Sequence, residues 1–134
     1  MAEHPNVQLA RDAFDAMGRG DVDWLAAHMH VDVVFHQGGR FPTAGTFVGR
    51  DAVFGHMMEF FELVDFSMKT EVQDVTASDE HAISLVRVSI DYQGRHLDFD
   101  EAHIWQVRDG KTLEMWAVPK DPYAVDAFFA GASA

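Results

Sequence analysis

Three features of the sequence predict an α+β fold. Helix-period apolar spacing is confined to the first third and to residues 50–64, long alternating stretches follow from Phe66 onward, and short turns join those stretches. Helices followed by a meander of strands imply helices packed on one face of an antiparallel sheet. Strands this long accumulate twist and curl. A curved antiparallel sheet wrapped around helices makes a cone with an internal pocket, whose mouth is a common place for a small-molecule site.

The elements follow in order. Val7, Ala10, Phe14 and Met17 recur at helical spacing after Pro5-Asn6, and Gly18 and Gly20 close the segment. Asp21 reads as the N-cap of a short second helix carrying Trp24, Leu25 and Met29 on one side. Val31 to Gln37 is a brief β-rich run that breaks at Gly38-Gly39. Beyond a loop with Pro42 and Gly45, a third helix runs from about Arg50 to Val64. Its Val53, Phe54, Met57, Met58, Phe60, Phe61 and Leu63 form an arc too wide for one seam, so this helix is either nearly engulfed or roofs a cavity. The strand candidates are Phe66–Thr76, His81–Tyr92, Arg95–Arg108 and Lys111–Val118. Ser78-Asp79-Glu80, Gln93-Gly94 and Asp109-Gly110 join them as short antiparallel turns. Asp121-Pro122 starts a last short helix, with Asp as cap and Pro at its first position. Residues 1–134 read as a single domain, with 130–134 a flexible tail.

Composition narrows the function classes. With 22 acidic against 10 basic residues the formal charge is -12, which repels a phosphate backbone and an anionic membrane surface alike. Apolar or neutral small molecules are the expected partners, with no nucleic acid and no membrane. The absence of cysteine removes disulfides, thiolate metal sites and a cysteine nucleophile. Neither a signal peptide nor a run of transmembrane length is recognisable, so a cytoplasmic protein is expected. Alternating His96, Asp98 and Asp100, together with His28 and His30, invite a metal site. Exposed His/Asp clusters on an acidic protein need no ion, however, and no metal or cofactor is expected. Gly38-Gly39 and Gly45 match neither a phosphate loop nor a dinucleotide fingerprint, and no Gly-x-Ser-x-Gly elbow occurs.

The stretch Leu97–Val107 carries the chemistry. Every second residue gives Leu97, Phe99, Glu101, His103, Trp105 and Val107, so a carboxyl and an imidazole share a strand face with large hydrophobes. Burying such groups unpartnered is costly; they need each other, a ligand, or a wet cavity. A lined pocket follows, with Phe14, Trp24, Gln37, Met57, Phe60, Phe61, Trp105, Met115 and Trp116 as candidate lining.

Several segments, in order along nearly the whole chain, resemble the SnoaL-like and ketosteroid-isomerase-like branch of the NTF2-like superfamily. They are Asp21–Trp24, Val33–His36 running into Gly38-Gly39, Ala44–Val53, His103–Lys111 and Glu114–Trp116. The resemblance implies a cone-shaped fold and a homodimer formed through the outer face of the sheet. It places His103 where ketosteroid isomerases carry an oxyanion-hole aspartic acid, and His36 or Gln37 near the position of their Asp base. Where the cyclases follow the Trp with a catalytic Asp, Ala117 stands, and Met115 replaces a His often found there.

The expected activity is therefore cofactor-independent proton transfer on a hydrophobic carbonyl compound, by an isomerase, cyclase or dehydratase. His36 is the candidate base, His103 the donor or alternate base, and Glu101 its orienting partner. Two alternatives stand beside it: a non-catalytic module that binds a ligand or partner, and an epoxide-hydrolase-like site built on Arg87. The face Ala82, Ser84, Val86, Val88, Ile90, Tyr92 is apolar enough for either the core or a dimer interface.

Overall fold

The structure, a computed structural model, describes residues 3–131. Two helices, α1 (Pro5–Arg19) and α2 (Val22–Ala27), precede β1 (Met29–Gln37) and β2 (Gly45–Val48). Helix α3 (Arg50–Leu63) leads into β3 (Lys69–Ala77), β4 (His81–Tyr92), β5 (Arg95–Arg108) and β6 (Lys111–Pro119), and α4 (Pro122–Ala130) follows. The fold is α+β, with one six-stranded sheet in the order β2-β1-β6-β5-β4-β3. Among the described residues no helix is long and apolar enough to cross a membrane.

Local chemistry accounts for the boundaries. Pro5 opens α1 where its missing N–H costs nothing, the His4 ring accepts from the Asn6 N–H, and Gly20 ends the helix at φ 69°. Asp21 and Asp121 each accept from the backbone N–H three residues on, capping α2 and α4. The turns Gln93-Gly94 and Asp109-Gly110 hold positive φ at both residues, 51° and 75° in the first and 53° and 73° in the second. That left-handed pair matches the twist of two-residue hairpins.

Several expectations need correction. The sheet is not wholly antiparallel: β1 lies parallel to β6, with Phe35 opposite Met115 and His36 opposite Trp116. Met29 begins β1 and does not extend the second helix, because α2 stops at Ala27. Phe66 lies outside β3, since Asp65 and Phe66 both take positive φ and turn the chain after α3. Ala130 belongs to α4, and residues 132–134 lie outside the described residues.

The core sits on the concave side of the sheet. Ala82, Val86, Val88 and Ile90 of β4 pack there against Phe14, Val7 and Ala10 of α1 and against Phe128 and Phe129 of α4. The face of β4 with Ala82 and Val86 is thus core, and Ile83 and Leu85 point out, exposed. Helix α3 is not engulfed: it buries only Val53 and His56 fully, while Met58 is exposed. Met57, Phe60 and Phe61 roof a cavity.

Candidate functional site

The cavity lies between the concave face and the helices, with a volume of about 110 Å³. Phe14 from α1 and Met57, Phe60 and Phe61 from α3 form part of its wall. Glu101, His103 and Trp105 of β5, Met115 of β6 and Gln37 of β1 line the sheet side. A wider cleft of about 1170 Å³ shares Phe14, Met17, Leu25, Met57, Phe61 and Met68 with it, so the two adjoin between α1, α3 and the start of β3.

Strand alternation fixes the polar centre. On β5, Glu101 and His103 face inward and are each only 8% exposed. The His103 Nε2–H donates to Glu101 Oε1 at 2.5 Å, and the ring stacks on Phe14 with centroids 5.1 Å apart. The other ring nitrogen, His103 Nδ1, is buried without a partner. The neighbouring Trp105 Nε1–H donates to Ser84 Oγ at 3.1 Å, so its indole contributes an apolar wall and no free donor.

His36 is not in the cavity. The parallel register with β6 turns Phe35 and Gln37 inward and His36 outward, where it stacks on Trp116. There its Nε2–H donates to Glu114 Oε2 at 2.5 Å, and Nδ1 accepts from the Thr46 hydroxyl at 3.0 Å. The assignment of His36 as base therefore fails on geometry, and Trp116 is absent from the lining with it. Trp24 is absent too, its ring stacked on His28 with centroids 3.9 Å apart. Arg87 lies on the outer face paired with Asp100 at 3.2 Å, which removes the epoxide-hydrolase-like arrangement. No group of three or more candidate metal ligands occurs among the described residues.

A second imidazole takes the place of the missing one. His56 of α3 is 5% exposed, lines the cavity, and lies between Phe47 (centroids 4.1 Å) and Phe35 (5.0 Å). Its Nδ1 is buried without a hydrogen-bond partner, and burial pushes its pKa down from the usual 6.5 to about 4. The ring is therefore neutral at pH 7. The sequence signal was a His in register with Val53, Met57 and Phe60 on the inward face of an apolar helix.

A family model for a SnoaL-like domain matches residues 10–115, most of the chain. The chain belongs to the SnoaL-like domain family. An uncharacterized protein of Mycobacterium tuberculosis is 28% identical to this SnoaL-like domain over 131 residues, covering 97% of this chain and all of that one. Among solved structures, Bal32a from a soil-derived mobile gene cassette superimposes with a TM-score of 0.87 at 24% identity, covering 92% of this chain and 95% of that one. A putative SnoaL-like polyketide cyclase from Jannaschia sp. CCS1 gives 0.81 at 16% identity, covering 99% of each. At these identities the structural likeness establishes the NTF2-like fold, and the chemistry has to be read from this chain's own residues.

Proposed function

We propose that this SnoaL-like domain is a cofactor-independent acid/base catalyst that removes a proton beside the carbonyl of a small hydrophobic compound. One observation carries the reading: a buried carboxylate–imidazole pair in the wall of an apolar cavity, with the second imidazole nitrogen unpartnered. Glu101 holds the tautomer in which Nδ1 is the basic nitrogen, and its carboxylate stabilises the imidazolium formed when that nitrogen takes the proton. The N–H groups of neutral His56 and of the Gln37 amide are the donors available for the enolate oxygen. The proton then returns from His103 to another carbon or assists departure of a hydroxyl, which gives isomerisation or dehydration. Addition of the enolate carbon to a second carbonyl gives cyclisation. At about 110 Å³ the cavity holds only a fragment, below the ~300–1,000 Å³ of drug-sized pockets, so the rest of the ligand lies in the cleft.

The competing reading, a binding module without turnover, draws on Ala117, which faces His103 across β5 and β6 where the related cyclases carry an acid. Deuterium exchange separates the two. Compounds that raise the melting temperature of the protein identify binders by mass action. In D₂O, enzyme-dependent loss of the proton beside the carbonyl is expected for such binders. Binders that exchange no faster than in buffer would overturn the catalytic reading and leave the module.

The partner we propose is a second copy of the chain, seated on the outer sheet face. Two rows cross the strands there, Leu85–Ala102–Val118 and Ile83–Ile104–Trp116, and Leu85, Val118 and Ile83 are exposed. Beside them Arg87 pairs with Asp100 and His36 with Glu114, while Glu71 and Asp74 of β3 lie on the same face opposite Arg87 and Leu85. Light scattering is expected to give a dimer mass, reduced to the monomer by Leu85→Glu. A monomeric wild type overturns the proposal.

A further inference from the structure

The wall of the cavity away from the cleft comes from two elements that take no part in the acid/base chemistry. Phe41 of the β1–β2 loop and Val125 and Phe129 of α4 line the cavity and not the cleft. Phe41 is 7% exposed and stacks on Phe129 with centroids 5.1 Å apart. Phe60 of α3 meets both rings edge-on at 6.3 Å, so three aromatic side chains close this end.

The two elements are fastened differently. Asp121 caps the start of α4. Near its end the Arg95 guanidinium donates to the Phe128 carbonyl at 2.7 Å and lies over the Phe128 ring, 5.1 Å from its centroid. The loop, residues 38–44, is held by less. Its Gly38 N–H donates to the Ala117 carbonyl at 3.2 Å. Past that residue, its one hydrogen bond to another element among the described residues runs from the Arg40 N–H to Asp126 Oδ1 of α4, at 2.7 Å. Gly39 allows so close an approach: a Cβ there would stand 2.9 Å from Asp126 Oδ1 and 3.0 Å from the Phe41 ring, at a φ of 117°. A single surface carboxylate thus holds the backbone next to the ring that closes the cavity.

We propose that Asp126 is a positioning residue and Phe41 a specificity-determining one. Asp126 holds the β1–β2 loop on α4, and Phe41 then ends the cavity on the side away from the cleft. The inference rests on the cavity being the ligand site, as proposed above. A ketone with one long arm fits, because that arm lies in the cleft and the short arm stops at Phe41. A ketone with two long arms does not, because its second arm has to displace the ring. The bond to Asp126 is charge-assisted, which suits it to ordering a short loop, and it lies at the surface, so removing it spares the core.

Two neutral ketones test it, 4′-butylacetophenone with one long arm and 4′-butylvalerophenone with two, each titrated by calorimetry against the full chain. The wild type is expected to bind the first at least about tenfold more tightly, although the second offers more apolar surface. Asp126→Ala and Phe41→Ala are each expected to abolish that preference. Asp126→Asn is expected to keep it, because the amide oxygen still accepts from the Arg40 N–H. A wild type that binds both ketones equally overturns the proposal while leaving the cavity reading intact. So does an Asp126→Ala protein that melts at a lower temperature yet keeps the wild-type preference, the mark of a merely structural role. If neither ketone binds the wild type, the proposal falls together with the cavity reading for this ligand class.

Discussion

Replacing His103 with Ala is expected to lower the rate of carbonyl-adjacent proton exchange by about 10²–10⁴-fold, the usual contribution of a positioned general base. The argument is geometric. His103 supplies the unpartnered basic nitrogen held by Glu101, and the outward turn of His36 leaves β1 without a competing base in the cavity. The Ala variant also strips Glu101 of its donor, and a buried carboxylate without one costs about 1–3 kcal/mol or more. Lost turnover in that variant alone would therefore be confounded with a loosened fold. His103→Gln separates the two, because its amide N–H offers Glu101 a donor while presenting no basic nitrogen. It is expected to melt close to the wild type, to bind the same ligands, and to be as slow as His103→Ala. Wild-type exchange in His103→Gln sinks the assignment of His103 as base.

What the sequence disclosed of the fold and of the site depended on how strongly each pattern was constrained. On β5 every inward position from Leu97 to Val107 is apolar except Glu101 and His103, so a one-residue slip would expose the whole set and the facing was readable. The Gly turns at Gly94 and Gly110 set hairpin register in the same local way. On β1 polar residues fall on both faces of a short strand, so alternation did not choose between His36 and Gln37. The choice is made by a parallel pairing with β6, more than seventy residues away in the chain, and no local signal encodes that register. The outward facing of Trp116 follows from the same pairing, while Trp24 is drawn away by stacking on His28. His56 was legible in principle, being in step with Val53 and Phe60, but it reads as a polar interruption unless the helix is known to roof a cavity.

Acidification is expected to destabilise the protein through His56 well before its carboxylates are titrated. In the folded chain the imidazole pKa is pushed down to about 4 by burial, whereas the unfolded chain protonates near the usual 6.5. The unfolded state thus binds more protons in this range, so stability is fully present above pH 6.5 and falls as pH is lowered toward 4. The linkage amounts to about 2 kcal/mol lost by pH 5 and about 3 kcal/mol by pH 4. A counter-charge would reverse the sign, but the ring packs on Phe35 and Phe47 and has no carboxylate bonded to it among the described residues. The exposed His96 works in the opposite direction. Hydrogen bonds to Asp91 and then Asp98 raise its pKa, so the stability it adds is present at low pH and is lost as pH rises through that raised value. Urea midpoints of the wild type and His56→Leu between pH 7.5 and 5 isolate the first effect. Leu fills the space without a titratable group, so the variant's midpoint should vary far less over that range. Parallel pH profiles for the two proteins would show that His56 is not the buried neutral ring on which the enolate-stabilising role depends.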